Sequence, residues 1–348
     1  MSIVGLSILL LSVLATYVGV AFFWRKSLQR KWFDIPNERS SHATPTPIGG
    51  GVVIVIVALI TYLLISIFLT KNISFAYLLG AFLVALVSWI DDLYSLSVSW
   101  RLLAHVAAAF LLVMGNNYWT AFGVPALFSI SLPNLGQWIT IAWVVWMINA
   151  YNFMDGIDGI SAIQGSVTAI AWSIVGSLSS QYDQLYPLAL LGACVGFLVH
   201  NWPPAKIFMG DVGSAFLGFT FASMPFLFQN TKTNLALVPL ATLLFLWPFV
   251  FDTTFTFFAR LFNGERVWQA HRRHLYQRLV IAGHRHATVS FIYGTFAVFT
   301  AAVGLYILHP GAGDTASLLL LIGVLLTSFA LTVVSMTIKR ADPDTTKG

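Results

Sequence analysis

Six of the thirteen acidic residues lie in four short motifs whose composition suits a chemical site. The motifs are WIDDLYSL at 89–96, NAYNFMDGIDG at 149–159, PPAKIFMGDVGS at 203–214 and FDTTF at 251–255. Two motifs bring carboxylates close together, because Asp91 directly precedes Asp92 and Asp155 lies three residues before Asp158. Adjacent like charges repel unless a cation lies between them. The spacing therefore predicts a site for a hard divalent cation, which takes oxygen ligands.

A phosphorylated substrate is the natural partner of such a site, because protein-bound Mg²⁺ typically bridges one or two carboxylates to substrate phosphates. Glycines flank Asp158 and Asp211 and leave backbone N–H groups accessible to phosphate oxygens. The DGIDG sequence lacks the alternating oxygen ligands of an EF-hand, which excludes that class of calcium site. Taken singly, each acidic residue has a simpler interpretation as a helix cap or a solvated loop residue.

The segment 259–288 contains six arginines, four histidines and no lysine. Arginine forks bind phosphate or carboxylate oxygens in pairs, although a basic cluster also serves as a membrane-surface anchor. His271 and His274 have the i, i+3 spacing of metal ligands as an alternative. The first basic loop adds two further candidates, Arg39 and His42.

Membrane helices are the elements that must position these residues. Of the 348 residues, 58% are hydrophobic and 9% are charged, and the mean hydropathy is +0.82. A soluble chain carries about a quarter of its residues as charged side chains. The apolar residues form continuous runs of about twenty, not the ten-residue alternating segments of a membrane β-barrel. The sequence predicts an all-α polytopic membrane protein, with a single integral-membrane catalytic domain at 1–338 and a short tail at 339–348.

Eleven membrane spans are predicted, or ten if the short fourth run does not cross. They are centred on 3–23, 49–69, 73–90, 101–114, 136–153, 160–178, 186–201, 213–229, 235–258, 289–308 and 315–337. The stretch at 115–135 alternates apolar residues and contains glycine and proline, which favours a small β-hairpin on the outer membrane surface.

Orientation follows from the basic residues. With the N-terminus outside and eleven spans, Lys71 and Lys232 alone of the eighteen lysines and arginines fall outside, as the positive-inside rule requires. The C-terminus and all four acidic motifs then lie on the cytoplasmic side, and the basic pI reflects topology, not a nucleic-acid partner. The predicted cytoplasmic loops are 24–48, 91–100, 152–160, 201–213 and 259–288. The single cysteine, Cys194, lies inside an apolar run and is predicted to be a packing residue.

The motifs DDLYSL, NAYNFMDGIDGI, PPAKIFMGDVGS and HRRHLYQR, with the leading RSSHATPTP, resemble the polyprenyl-phosphate N-acetylhexosamine-1-phosphate transferase family, glycosyltransferase family 4. The resemblance extends from about residue 35 to residue 278 and is closest to the branch that initiates O-antigen synthesis. It implies a multi-pass enzyme of the bacterial inner membrane that works on the cytoplasmic face. Such an enzyme transfers a sugar 1-phosphate from a UDP-N-acetylhexosamine to undecaprenyl phosphate, releases UMP and requires Mg²⁺, with Mn²⁺ as a substitute.

Roles for the acidic residues come from the same resemblance. Asp91 and Asp92 are expected to hold the region of the lipid phosphate and metal, with Asp91 the candidate base. Asp211 is expected to be the Mg²⁺ ligand, assisted by Asp92. Asp155 and Asp158 are expected to act near the nucleotide and metal. The expected substrate-binding residues are Arg39, His42, Asn152, Asn201, Lys206, His271, Arg272, Arg273 and His274.

Two departures from the family pattern stand out. Arg272 and Arg273 lie between the two histidines where relatives often carry a further histidine, and arginine can serve there as a phosphate clamp but never as a base. Ile48 replaces an arginine common in relatives, and nothing in the sequence explains that change.

Several alternatives stay open at this stage. The nearest is the related transferase of peptidoglycan synthesis that uses UDP-N-acetylmuramoyl-pentapeptide. A cation-coupled transporter is a remote rival, because transport sites normally lie near the bilayer midplane within internal repeats. The sequence does not distinguish N-acetylglucosamine from its 6-deoxy relatives, a one-step transfer from an aspartyl-phosphate route, or a monomer from a homodimer.

Overall fold

The computed structural model describes residues 2–36, 41, 44–180, 182–228, 234–267 and 271–337, and helices dominate throughout these ranges. The α-helices of the described residues, in chain order, are α1 (Ile3–Arg30), α2 (Gly51–Ile65), α3 (Phe75–Tyr94), α4 (Val98–Met114), α5 (Leu135–Met154), α6 (Ile160–Ser179), α7 (Leu185–Asn201), α8 (Asp211–Ser223), α9 (Val238–Phe245), α10 (Trp247–Phe262), α11 (Leu275–Ile281), α12 (His286–Leu308) and α13 (Asp314–Thr337). Helix α2 continues as a π-helical turn at Ser66–Thr70, and α8 as a 3₁₀ turn at Met224–Phe226.

Two small antiparallel ladders accompany the helices. Strands β1 (Phe33–Asp34) and β2 (Thr46–Pro47) pair beside the end of α1, which the sequence did not predict. Strands β3 (Ala121–Val124) and β4 (Phe128–Ser131) confirm the predicted hairpin. The hairpin is docked on the segment before α9, since the Gly123 N–H donates to the Ala236 carbonyl at 2.7 Å.

Within the described residues, six helices are long and apolar enough to cross a membrane. They are Ile3–Arg30, Gly51–Thr70, Phe75–Tyr94, Ile160–Ser179, His286–Leu308 and Asp314–Thr337. Helices α4 and α7 are apolar but shorter. The helical multi-pass architecture is confirmed, whereas the count of eleven spans and their orientation stay predictions.

The ninth predicted span, 235–258, is not one continuous helix. The chain forms α9 and α10 there, and their axes meet at 83° next to Leu246. Pro248 explains the break, because proline lacks the N–H needed for a helical hydrogen bond and its ring clashes with the carbonyl four residues earlier. A hydropathy window does not detect such a bend, since every residue around it is apolar.

Other element boundaries also differ from the prediction. Helix α1 extends to Arg30, so the predicted loop at 24–48 begins inside a helix. The loop predicted at 259–288 contains the seven-residue helix α11 and the ends of α10 and α12. Cys194 is fully buried and unpaired, as predicted.

Helix α8 lies at the centre of the bundle and packs against α2, α3 and α5. Every residue after Asp211 in this helix is buried. Its close approach to α2 depends on two glycines, because a Cβ on Gly51 would lie 2.4 Å from the Gly213 Cα. The crossing fixes the beginning of α8, and therefore Asp211, in the middle of one end of the bundle.

Candidate active site

Two of the acidic motifs share a single guanidinium group. Arg101, in the first turn of α4, places Nη1 2.8 Å from the Asp91 Oδ2 and 3.3 Å from the Asp211 Oδ2. The Asp91 side chain is 7% exposed, whereas those of Arg101 and Asp211 are each 34% exposed. The Asp91 Oδ1 also accepts a hydrogen bond from the Leu96 N–H at 2.6 Å. The first and third motifs thus meet at a partly open position where two carboxylates share one positive charge.

Asp92 has a different set of partners from its neighbour Asp91. Its Oδ1 accepts from the Asp211 N–H at 2.9 Å, and its Oδ2 accepts from the Val212 N–H at 3.1 Å. The first N–H groups of a helix have no partner inside the helix, and a carboxylate placed there also interacts favourably with the helix dipole. Asp92 therefore anchors the beginning of α8 and orients Asp211. Its expected role as a metal ligand stays a prediction.

Gly210 is the residue that allows this anchor. Its φ angle is +79°, and a Cβ at this position would lie 2.7 Å from the Asp92 Oδ2. We expect Gly210→Ala to lower the free energy of unfolding by about 1–2 kcal/mol more than Gly264→Ala, since losing a helix cap costs about that much. Gly264→Ala is the comparison for a positive φ in open space, because its φ is +69° and a Cβ there meets nothing within 4 Å; Gly210 differs in its ψ of 167° and in its contact with Asp92.

The difference between these two variants can be measured by thermal unfolding of the purified proteins in detergent. Equal losses of stability would show that neither the contact with Asp92 nor the ψ angle of Gly210 adds to the cost of a positive φ.

The second motif approaches the same position from α5. The Asn152 Nδ2 donates to the Ser214 hydroxyl at 3.3 Å, one turn into α8. Burial, together with the negative charges of Asp211 and Asp158, raises the pKa of the Asp155 carboxyl to about 8. A cation bound beside this carboxyl would favour its ionised form. Asn152 and Asp155 thus both interact with Asp211, and their expected roles near the nucleotide and metal stay predictions.

Asp158 points to other parts of the chain. Asp155 and Asp158 do not share a helix face, because both lie in the link between α5 and α6. The Asp158 Oδ2 accepts from the Ala205 N–H at 3.1 Å, and its Oδ1 lies 3.3 Å from the His286 Nδ1. Its backbone carbonyl accepts from the Ser290 hydroxyl at 2.8 Å. These contacts join the second motif to the PPAK segment and to the beginning of α12.

Asn201 also connects two motifs. Its Oδ1 accepts from the Gly159 N–H at 2.8 Å and its Nδ2 donates to the Ile207 carbonyl at 3.0 Å, so this buried side chain holds the two loops together. Lys206 is exposed, and its ammonium lies 6.0 Å from the ring centroid of Trp24 on α1. The substrate contacts expected of Asn201 and Lys206 stay predictions.

The two histidines of the basic segment lie next to each other. The His271 and His274 ring centroids are 4.9 Å apart. Burial, together with neighbouring cationic side chains, lowers the pKa of His271 to about 4, so this ring is neutral at pH 7. Its Nδ1 accepts from the Arg273 N–H at 3.2 Å, which leaves the ring proton on Nε2 as a donor. His274 is buried, and its Nδ1 lies 3.1 Å from the Asp252 Oδ1.

The arginines of this segment form a connected group. Glu265 accepts from the Arg260 Nε at 3.1 Å and also pairs with Arg273. Arg272, Arg273 and Arg278 line a polar cavity of about 200 Å³, closed on one side by the end of α13. Such a cavity suits an anionic group. Arg39 and His42, the other predicted binding residues, lie outside the described residues.

A metal ion would have to use the acidic centre. The described ranges contain no group of three or more His, Cys, Asp or Glu side chains arranged around one point. Asp91 and Asp211 nevertheless share one cation, Arg101. The Asn152 side chain and the buried Ser214 hydroxyl lie beside Asp211. Mg²⁺ needs only one or two carboxylates when water and substrate phosphates complete its shell. The residues therefore fit Mg²⁺ better than a zinc site built on the two histidines.

Helix α10 presents an apolar groove beside the bend. The groove has a volume of about 420 Å³. Its lining residues are Trp247, Val250, Phe251, Thr254, Phe255, Phe258, Ala259 and Phe262. A long isoprenoid or acyl chain matches this lining, which is almost entirely apolar.

Arg101 is not among the site residues predicted from the sequence. Two signals were present: it is an arginine at the border of an apolar run, and it lies ten residues after Asp91. A cation in that position requires an anionic partner or water. Asp252 lies in a predicted motif, but the hydrogen bonds that it accepts from the first two N–H groups of α11 were not predicted.

Comparison with known proteins agrees with this architecture. The model of the family described as "Glycosyl transferase family 4" matches residues 74–229. A decaprenyl-phosphate N-acetylglucosaminephosphotransferase of Mycobacterium leprae (strain TN) is 32% identical over 285 residues, covering 73% of this chain and 71% of that protein. A protein of Bacillus subtilis (strain 168), described as a probable undecaprenyl-phosphate N-acetylglucosaminyl 1-phosphate transferase, is 31% identical over 256 residues, with the same two coverages. A phospho-N-acetylmuramoyl-pentapeptide-transferase of Streptococcus agalactiae serotype III is 30% identical over 274 residues, covering 72% and 77%.

The helical membrane architecture, the acidic centre and these similarities define a multi-pass membrane enzyme of the sugar-1-phosphate transferase type. The chain belongs to glycosyl transferase family 4.

Proposed function

We propose that the chain transfers an N-acetylhexosamine 1-phosphate, or its 6-deoxy form, from a UDP-sugar to undecaprenyl phosphate. The products are UMP and undecaprenyl-diphosphate-sugar. The observation that carries the proposal is the convergence of Asp91, Arg101 and Asp211, where a single cation is shared by two carboxylates from separate motifs. The named activities of the Mycobacterium and Bacillus relatives supply the class of donor and acceptor.

The apolar groove of α10 supports a polyprenyl acceptor. A chain of isoprene units would bury its surface against the aromatic residues of this groove, at about 25 cal/mol per Å² of apolar area removed from water. Helix α10 leads directly into the basic segment, so a lipid held along it would have its phosphate near arginine side chains. A water-soluble donor does not need an apolar groove, so the groove favours a lipid acceptor.

Mg²⁺, with Mn²⁺ as a substitute, is the proposed cofactor. Asp211 would hold it, with Asp91 and Asp92 as the other carboxylates within the acidic centre. When bound, it would supply positive charge that allows two anionic phosphates to approach each other. This role does not require the histidine or cysteine ligands of a zinc site.

The chain's own residues perform the remaining work. The guanidinium of Arg101 offers several N–H donors, so it can exchange its contacts with carboxylates for contacts with phosphate oxygens. Asp91 would orient the acceptor phosphate; because a phosphate monoester has a second pKa of about 6, no strong base is required. The neutral His271 would donate its Nε2–H to a donor phosphate oxygen. Together these groups supply position and charge, the main requirements of phosphoryl transfer.

The decisive experiment is an assay of the purified protein with undecaprenyl phosphate and labelled UDP-sugars, following both UMP release and the lipid product. UDP-N-acetylglucosamine or its 6-deoxy analogue should give product, and UDP-N-acetylmuramoyl-pentapeptide should give none. Product from the pentapeptide donor alone would identify the peptidoglycan activity carried by the Streptococcus relative. No transfer from any UDP-sugar would overturn the proposal.

The same assay separates two chemical routes. We propose direct attack of the lipid phosphate on the donor diphosphate, so no UMP should form without acceptor. Stoichiometric UMP release from the UDP-sugar alone would instead indicate an aspartyl-phosphate intermediate.

We further propose that the enzyme lies in the bacterial inner membrane with its active site on the cytoplasmic face. We expect Ser97→Cys to be labelled by a membrane-impermeant maleimide only after cells are opened, and Tyr182→Cys to be labelled in intact cells. Ser97 lies between α3 and α4, and Tyr182 lies between α6 and α7. The native Cys194 is fully buried and serves as an unreactive background. Labelling of Ser97→Cys from outside intact cells would reverse the proposed orientation.

The biological step that we propose is initiation of O-antigen or another cell-surface polysaccharide. The HRRHLYQR segment and the SSHATPTP opening support this branch. Loss of surface polysaccharide in a strain that lacks the gene, with peptidoglycan synthesis unaffected, would agree with this assignment. A homodimer is a further proposal, which mass measurement of the detergent-solubilised protein would test.

A further inference from the structure

Asp252 is a fully buried acidic residue in the middle of α10. Five hydrogen-bond donors surround its carboxylate. They are the Leu275 N–H at 2.9 Å, the Tyr276 N–H at 3.1 Å, the His274 Nδ1 at 3.1 Å, the Tyr293 hydroxyl at 2.6 Å and the Thr256 hydroxyl at 3.2 Å. A carboxylate removed from water is costly unless its oxygens are satisfied, and here they are.

Three of these five donors belong to the beginning of α11. The Leu275 and Tyr276 N–H groups are the first two of that helix, and His274 is its N-cap residue. Asp252 thus fixes the helix and the histidine together, although they are more than twenty residues away in the chain. The His274 N–H is held separately by the Gln277 side chain at 3.3 Å.

The contact with Asp252 also holds the ring of His274. The side chain of His274 accepts a further hydrogen bond from the backbone N–H of Gln277, so the ring is held both by α10 and by the first turn of α11. A carboxylate behind an imidazole fixes the orientation of the ring. The neighbouring His271 has its proton on Nε2, because its Nδ1 accepts from the Arg273 N–H. Asp252 thus fixes the ring that lies against His271.

Helix α10 holds the basic segment at a second point. Arg260 lies two turns after Asp252 on the same face, and its guanidinium donates to the Arg266 carbonyl at 2.7 Å and the Val267 carbonyl at 3.1 Å. The buried face of α10 thus anchors the basic segment. The other face lines the apolar groove.

We propose that Asp252 is a positioning residue of the transfer reaction: it anchors α11 and holds His274 against His271, the ring whose Nε2–H is proposed to meet a donor phosphate oxygen. The inference rests on the proposed function and adds a residue that acts through another side chain. Asparagine at position 252 would keep the shape of the side chain. Its amide NH₂ group would face the hydrogen-bond donors that now donate to the carboxylate. Loss of a carboxylate that supports a metal-bound histidine costs roughly 10–100-fold in activity, and we expect the same scale for His274.

The test combines Asp252→Asn and His274→Asn singly and together. Asp252→Asn should lower kcat by roughly 10–100-fold, and the double variant should match His274→Asn within about threefold, because residues that act as a unit are not additive. The matched control is Thr256→Val, which removes the longest of the five hydrogen bonds, at 3.2 Å, and should stay within about threefold of wild type. A wild-type rate for Asp252→Asn, or full additivity with His274→Asn, would overturn the proposal.

A second measurement does not depend on transfer activity. Limited trypsin digestion should cut Asp252→Asn after the arginines at 272–278 at least about tenfold faster than wild type, with Tm little changed, because the segment opens locally. Unaltered protection would contradict the anchoring role. If the wild-type protein transfers no sugar phosphate, the proposed function fails while this digestion still decides whether Asp252 anchors α11.

If Asp252→Asn does not accumulate in the membrane, Tyr293→Phe is the variant that tests the proposal. It removes the 2.6 Å hydrogen bond but keeps the carboxylate. It should lower kcat by roughly threefold to tenfold in the wild-type background and have no effect in the His274→Asn background. Equal losses in both backgrounds would overturn the proposal.

Discussion

Replacing Asp211 with asparagine should lower kcat by roughly 10³-fold or more while the protein stays folded. Asp211 begins the central helix α8, and its carboxylate shares Arg101 with Asp91 at a partly open position. Asparagine keeps the size of the side chain and the backbone N–H that Asp92 accepts, so the anchor of α8 survives. What is lost is the negative charge proposed to hold Mg²⁺ against the substrate phosphates.

The measurement is the transfer rate across a Mg²⁺ titration, combined with direct Mn²⁺ binding followed by electron paramagnetic resonance. Asp183→Asn is the matched control, because this acidic residue lies between α6 and α7, away from the four motifs, and should keep wild-type rates and binding. Substantial activity of Asp211→Asn at saturating Mg²⁺ would remove Asp211 as the essential ligand. Loss of activity with unchanged Mn²⁺ binding would assign Asp211 to phosphate positioning instead.

The helical fold could be predicted because a bilayer requires long apolar runs, which are a local property of the sequence. A membrane crossing needs about twenty apolar residues, and such runs are visible without any tertiary information. The hairpin at 121–131 could be predicted for the same reason, since strand alternation and turn residues are local signals. The bend at Leu246 was missed because the residues on both sides of it are equally apolar, and only the proline after it marks the break.

The functions of individual carboxylates depend on partners that are distant in the chain. Asp91 and Asp92 are adjacent and chemically identical, yet one contacts a guanidinium and the other caps a helix more than a hundred residues away. No property of the DDLYSL motif distinguishes them, because the difference is made by how α8 is placed beside α3. Asn201 and Asp158 show the same limit, since their side chains hold loops whose proximity is a tertiary property.

Replacing Arg101 with methionine should lower the transfer rate by about 10²–10³-fold, the range seen when one preorganised charge-stabilising donor is lost. Arg101 carries the positive charge that the Asp91 and Asp211 carboxylates share, and a phosphate entering this position would meet two negative side chains without it. Arg101→Lys should recover only part of the rate. A lysine ammonium is a compact point charge and cannot span two oxygens as a planar guanidinium does.

The same variant should bind metal more tightly in the absence of substrates. In the wild-type chain the guanidinium neutralises the two carboxylates, so a divalent cation must displace it; Arg101→Met removes this competitor and leaves the carboxylates to the metal. Mn²⁺ binding followed by electron paramagnetic resonance should therefore strengthen while transfer weakens, a combination that a purely structural ion pair would not produce. Arg30→Met is the control, because Arg30 is an exposed residue at the end of α1 and its replacement should change both quantities by less than about twofold. Weaker metal binding in Arg101→Met would show that the guanidinium organises the carboxylates instead of competing for them.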